Sequence, residues 1–285
     1  MKRQNRLQHK TTPIRVLLGT FLMLYAIFFL GMFVWTFLNS LKGHLEYNKD
    51  RLSLPKNWLF SNYKLAMDAL LAGGHSATDM IFNAVWLTIG GIIISQACII
   101  MFAYAMARYN FPLKKLFNTL NIIIIMIPIV GSMPSFMRML LRLGIYDSPW
   151  YLLTQVGGFG ASMIIYRTVF RNVPWEFAEA AYIDGANHWQ VFLKLMVPQI
   201  KPLLIANSIN LFRAVWNDYM TPLLYLPSFP TLSSGLYVYE IEMARKINTP
   251  VLFAGCFLCA IPPVLMFIFF NKKMMEVDLS GGLKG

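Results

Sequence analysis

The sequence predicts an all-α integral membrane protein with six spanning helices and both termini on the cytoplasmic side. Two observations carry this. Of 285 residues, 57% are hydrophobic and 13% charged, with a mean hydropathy of +0.53. A soluble domain is roughly 45–50% apolar and about 25% charged. The charges also avoid six apolar runs, at 16–38, 81–103, 116–137, 149–166, 202–226 and 250–270. Only Arg213 and Asp218 fall inside them, both in the fifth run. A bilayer core about 30 Å thick takes roughly 20 helical residues. The strands of a membrane barrel are about 10 residues long and alternate.

Residues 1–15 form a basic cytoplasmic N-terminus, and 16–285 read as a single transmembrane domain. The first run is too long for a signal-peptide core and lacks a small-residue cleavage site after it. The third run carries Pro128 and Pro134, the fourth Gly157, Gly158 and Gly160, and the sixth Pro262 and Pro263. Such residues serve either as bends and close helix contacts or as hinges. Cys256 and Cys259 sit within the sixth run with no second ligand pair, which favours packing over metal or redox chemistry.

Orientation follows from the net charge of +12. With the N-terminus inside, the cytoplasmic flanks collect Lys2, Arg3, Arg6, Lys10 and Arg15, then Arg108, Lys114 and Lys115, then Arg167, Arg171, Lys194 and Lys201, and finally Lys272, Lys273 and Lys284. Cytoplasmic loops are the ones that gather Lys and Arg. The basic N-terminus fits an anionic lipid leaflet, and nucleic acid is not expected as a partner.

The longest inside connection, 167–201, is the one soluble-looking loop. Pro174 suits a helix start, with Glu176 and Glu179 near its positive end. Trp175, Ala178 and Tyr182 repeat at helical spacing, Gly185 allows a sharp turn, and Trp189, Phe192, Leu193 and Met196 make the apolar face of a second helix that Pro198 ends. This helix–turn–helix lies on the bilayer as an amphipathic pair or forms a knob for a soluble partner.

Glu179-Ala180-Ala181, then Gly185, then Leu195 to Pro198 resembles the E-A-A loop of ABC importer permeases. The family's Ile and Leu before the proline are replaced by Leu195 and Val197. Ala-Ala-x-Ile-Asp-Gly-Ala at 180–186 is similar to the carbohydrate-uptake branch, the second maltose-type permease in particular. Pro55, Trp58 and Asn62-Tyr63, Trp216-Asn217-Asp218 with Pro222-Leu223, and the tail at 279–285 resemble further pieces of that branch.

The resemblance implies a type I ABC importer permease fold in a bacterial or archaeal cytoplasmic membrane, with the loop as a coupling helix. It implies a heterodimer with a second homologous permease, two ATPase subunits that bind ATP and Mg, an extracytoplasmic solute-binding protein, and a carbohydrate substrate, with lipid around the spans. The chain carries no G-x-x-x-x-G-K-[ST] phosphate loop, so it is read as having no catalytic site, cofactor or metal of its own. Glu179, Ala180, Ala181, Asp184, Gly185 and Pro198 are the expected ATPase-coupling residues. Glu179 would pair with an arginine of the ATPase, and the two alanines would allow close approach. Asp184 is explained equally well by a helix-ending hydrogen bond.

Arg213 is where this branch usually has an apolar or small residue. A central arginine costs roughly 2.5–3.5 kcal/mol on insertion scales and faces a cavity or partner as a rule. Asn210, Arg213, Trp216, Asn217 and Asp218 are the expected pathway residues, with Arg213 either a structural group or a contact for an acidic, uronate-containing sugar. Arg138 and Arg142 would add a positive entrance outside. The alternatives are a polyol or glycerol phosphate importer and an ion-driven carrier. A carrier would need a relay of buried acids, and only Asp218 lies in a span. A membrane enzyme would need clustered ligating or acid–base groups, and His9, His44, His75 and His188 are scattered.

Overall fold

A computed structural model describes residues 13–70, 74–127, 131–242 and 248–281. The basic residues before Pro13, Pro128, Arg245, Lys246 and the end of the glycine-rich tail lie outside the described residues. The fold is helical: α1 (Pro13–Ser40), α2 (His44–Lys49), α3 (Ser61–Ala69), α4 (Ala77–Arg108), α5 (Lys114–Met126), α6 (Met133–Leu143), α7 (Ala161–Asn172), α8 (Glu176–Ile183), α9 (His188–Gln190), α10 (Val197–Gln199), α11 (Lys201–Trp216), α12 (Met220–Tyr225), α13 (Leu232–Glu242) and α14 (Thr249–Gly281). The chain divides into two compact units, residues 1–66 with 245–257, and residues 67–244 with 258–285.

In the first unit α1 buries only Asn39 and Ser40. An apolar helix with no inward face needs lipid or neighbouring helices around it. The loop after it is stitched by polar groups. Asn62 donates through Nδ2 to the carbonyls of Ser40 (2.7 Å) and Lys42 (2.8 Å). Buried Lys42 donates to the Asp50 carbonyl (3.0 Å), and the Trp35 indole donates to the Arg51 carbonyl (2.9 Å). Phe253 packs edge-on against Trp35 and Tyr47.

The second unit is organised on α4. A capping box starts it: Ser76 Oγ accepts from the Asp79 amide, and the Asp79 carboxylate accepts from the Ser76 amide. Three apolar clusters follow along its length. Ala77 and Met80 pack with Leu70, Leu232 and Cys259. Leu87 packs with Leu140, Tyr151 and Tyr225. Ile99 to Met106 pack with Met163, Tyr166, Phe170 and the loop after α7. The packing expected of Cys259 is thus what its surroundings show.

Between the last two clusters, Gln96 gathers α7 and α11. Its Nε2 donates to the Leu204 carbonyl (3.3 Å) and Ser208 Oγ (3.0 Å). Its Oε1 accepts from the Tyr166 hydroxyl (3.0 Å) and Asn207 Nδ2 (3.2 Å), and Ser162 donates to Asn207 Oδ1 (3.2 Å). Fully buried Asn121 similarly holds the peptide of Gly160, accepting from its N–H at 2.6 Å.

Three helices are long and apolar enough to cross a membrane among the described residues: Pro13–Ser40, Ala77–Arg108 and Thr249–Phe270. The other three apolar runs are not single helices. The third ends as a helix at Met126 and resumes at Met133, with Pro134 in the first turn. The fourth is a 3-10 helix, Pro149–Gln155, then an extended glycine-rich stretch, then α7. The fifth stops at Trp216 and restarts at Met220. Hydropathy measures transfer into lipid and is blind to these breaks, which prolines, glycines and the Asp218 side chain impose locally. By contrast α14 runs unbroken through Pro262 and Pro263.

Gln96→Leu removes four interhelical hydrogen bonds and leaves the buried Tyr166 hydroxyl without its acceptor. Each such bond in lipid is worth about 0.6 kcal/mol on average, so the variant should lose about 2 kcal/mol in denaturant unfolding of the detergent-solubilised protein, and Tyr166→Phe clearly less.

Candidate coupling and pathway sites

The loop after α7 is built as two short helices around one glycine. On α8, Trp175, Ala178, Ala181 and Tyr182 face inward, while Glu176, Glu179, Ala180 and Ile183 repeat at helical spacing on the opposite, exposed face. Ala178 is fully buried, whereas Ile183 is 85% exposed. The helix ends in a Schellman turn: the Gly185 amide donates to the Tyr182 carbonyl (3.0 Å) and the Ala186 amide to the Ala181 carbonyl (2.9 Å). Gly185 takes φ +83°, which side chains resist. The backbone alone makes this ending, so the exposed Asp184 carboxylate is not used for it.

The second helix starts with a capping box between Asn187 and Gln190, both bonds at 2.9 Å. Its next six residues, Val191–Met196, form a π-helix before α10. The Val197 amide donates to the Phe192 carbonyl, and Pro198 lies within α10 instead of ending the run at itself. Widening the turn moves the proline ring off the carbonyl it would strike in an α-helix. It also divides the expected apolar face: Phe192 and Met196 are buried, and Trp189 and Leu193 are exposed.

The loop is clamped to the end of α4. The Arg108 guanidinium lies 5.0 Å from the Trp175 ring centre and also donates to the Val173 carbonyl. The Tyr182 hydroxyl meets His188 Nδ1 at 2.9 Å, with the Tyr109 hydroxyl at 3.3 Å from the same atom. Burial and the neighbouring Tyr109 push the Tyr182 phenol above its ordinary range, so it stays a neutral hydrogen-bonding group. Of the expected coupling residues, Glu179, Ala180, Asp184, Gly185 and Pro198 stand exposed. Ala181 is turned toward the protein's own core. Arg108, Tyr109 and His188 escaped sequence reading, having no spacing signal; the Asn187-x-x-Gln190 cap was legible there.

On α11, Asn210, Arg213 and Asn217 share one exposed face. Asn217 folds back, donating through Nδ2 to the Arg213 carbonyl (2.8 Å). Asp218 is half-buried just before α12, its Oδ1 accepting from the Thr221 amide (3.0 Å). Trp216 is not on that face. It is 4% exposed, stacks on Phe212, and donates through its indole to the Cys259 carbonyl (2.9 Å). A 100° step per residue carries it round the helix into the core. On α6, Arg138 and Arg142 stand exposed on the side opposite buried Leu140.

The described residues are thus helical, with a helix–glycine–helix knob after α7 and helices long and apolar enough to cross a membrane. Residues 99–272 match the model of the binding-protein-dependent transport system inner membrane component family, and the chain belongs to that family. It is 25% identical over 257 residues to the diacetylchitobiose uptake system permease protein NgcG of Streptomyces coelicolor, covering 89% of this chain and 83% of that one. It is 26% identical over 239 residues to the maltodextrin transport system permease protein MdxG of Bacillus subtilis, covering 82% and 84%. In fold it matches a chain in the crystal structure of a bacterial ABC transporter involved in the import of the acidic polysaccharide alginate, with a TM-score of 0.78 and 21% identity over 93% of this chain and 97% of that one.

Gly185→Val forces a β-branched residue into the left-handed region, at roughly 1–2 kcal/mol. Hydrogen exchange at positions 185 and 186 should quicken by about tenfold, since the Schellman bonds are the protection; unchanged exchange would show that the turn does not need glycine.

Proposed function

We propose that this chain is a permease subunit of an ATP-binding-cassette importer that moves an oligosaccharide across the cytoplasmic membrane. Its six spans place both termini inside. A second, homologous permease completes the pathway, an extracytoplasmic binding protein delivers the sugar, and two ATPase subunits holding ATP and Mg supply the energy. The observation that carries the reading is the two-sided construction of α8. Its inner face is clamped by Arg108 and the buried aromatic cluster, and its outer face presents Glu176, Glu179, Ala180 and Ile183. A partner gripping the outer face moves the clamped inner face with it, as one rigid body. The relatives' sugar substrates support the choice of cargo.

In the reconstituted complex Glu179→Lys should lower ATPase activity stimulated by loaded binding protein by about tenfold or more, because an interfacial charge pair becomes a like-charge contact. Full stimulation in the variant would discard the coupling role.

A second reading of the cargo is an acidic sugar. It is favoured by Arg213, whose guanidinium stands on the exposed face of α11 without a carboxylate partner among the described residues. A guanidinium matches a carboxylate with two parallel hydrogen bonds. Arg213→Ala should then cut uptake of trigalacturonate by about tenfold while sparing maltotriose. An equal effect on both would leave the neutral oligosaccharide as the cargo.

A further inference from the structure

Within the second unit, where the fifth apolar run breaks, the ends of α11 and α12, the 3-10 helix Pro149–Gln155 and the middle of α4 line a half-open cavity of about 170 Å3. Pockets for drug-sized ligands run from about 300 Å3 upward, so this one holds a single small ring at most. Its polar side chains are Asp218, Gln155, Thr221 and Tyr151, and its apolar wall includes Leu87 and Val215. Asp218 spends one oxygen on the Thr221 amide, and its other oxygen makes no hydrogen bond among the described residues. The Gln155 amide has one long contact, 3.4 Å to Thr154 Oγ1, which leaves its carbonyl oxygen and a second N–H to offer. A half-buried carboxylate and a nearly idle amide thus stand at one small cavity with hydrogen-bonding capacity to offer.

The chemistry of that something is constrained. A carboxylate accepts and does not donate, so the occupant must bring donors. A carboxylate or phosphate group would meet Asp218 as a like charge. Adjacent hydroxyls on a sugar ring supply donors to Asp218, and Gln155 both donates to and accepts from them. The ring's C–H face suits Leu87 and Val215. Room is kept by Gly91 on α4, whose missing Cβ would point at Gln155 Cγ from 3.8 Å. Arg213 stands exposed on α11 and does not line the cavity. In an acidic oligomer the carboxylate would accordingly stay on the Arg213 side, outside the cavity.

We propose that this cavity is a sugar subsite of this subunit: it takes the hydroxyl edge of one pyranose ring of the cargo, held by Asp218 and Gln155 beside Gly91. The proposal rests on the carbohydrate reading above. It predicts a defect in carrying, not in energising. The test uses the whole complex in liposomes with saturating binding protein, and reads sugar taken up per ATP hydrolysed for maltotriose, diacetylchitobiose and trigalacturonate. Asp218→Asn keeps the oxygen that accepts from the Thr221 amide and removes the charge; Gly91→Val fills the cavity from the opposite wall. Both should cut uptake of the carried sugar about tenfold, with binding-protein-stimulated ATPase within about twofold of wild type, so the ratio collapses. An unchanged ratio in both variants overturns the subsite. So does a parallel fall of uptake and ATPase, which would mark the residues as purely structural. If the wild-type complex hydrolyses ATP but carries none of the three sugars, the carbohydrate reading falls and takes the subsite with it.

Discussion

One glutamine side chain ties the second unit together. Gln96 stands on α4 where the packing is otherwise apolar and uses both ends of its amide, donating to α11 and accepting from α7 and α11. In lipid, helices gain little from hydrophobic burial against each other, so polar groups and close packing decide which helices pair. A satisfied buried network also fixes rotation: sliding α7 or α11 by one residue would strand four polar atoms. The placement of everything downstream, the coupling loop after α7 and the exposed face of α11 included, follows from that registration.

Two stretches of α4 then meet different parts of the fold. Toward its C-terminus it holds the coupling loop through Arg108, Trp175 and the Tyr104–Phe192 contact. In its middle, Leu87 and Gly91 border the cavity at Asp218. A single unbroken helix of 32 residues thus joins the loop after α7 to the cavity at Asp218. Stiffness is the physical requirement, and neither Gly90 nor Gly91 interrupts the helix.

The broken runs show a second constraint. Residues 116–137, 149–166 and 202–226 all have the hydropathy of spans, yet each is interrupted. Non-helical backbone at membrane depth is tolerated where protein or a cavity covers it. Here the breaks of the fourth and fifth runs are covered from within: Asn121 satisfies Gly160, Asp218 satisfies Thr221, and the Trp216 carbonyl accepts from Ser233 Oγ. These are the places where the backbone leaves ideal geometry, and one of them opens onto the cavity.

What the sequence by itself determined is local or compositional. Charge depletion marks the apolar runs, and turn and cap chemistry within a few residues marks the coupling loop. Gly185 had to sit where a left-handed turn was needed, and Glu179 had to share a face with Glu176 and Ile183 because helical geometry leaves no choice. What only the tertiary structure decided is which side of a helix meets which neighbour. Trp216 and Ala181 were expected at open surfaces and turn inward, and the second loop helix divides its apolar residues because a π-helical turn shifts their phase. Arg108 reaches Val173 across 65 residues of chain, and Asp218 shares a cavity with Gln155 although hydropathy places them in different runs. Periodicity gives a helix its stripes, but the direction of a stripe is chosen by contacts between segments far apart in the chain, which no window of sequence contains.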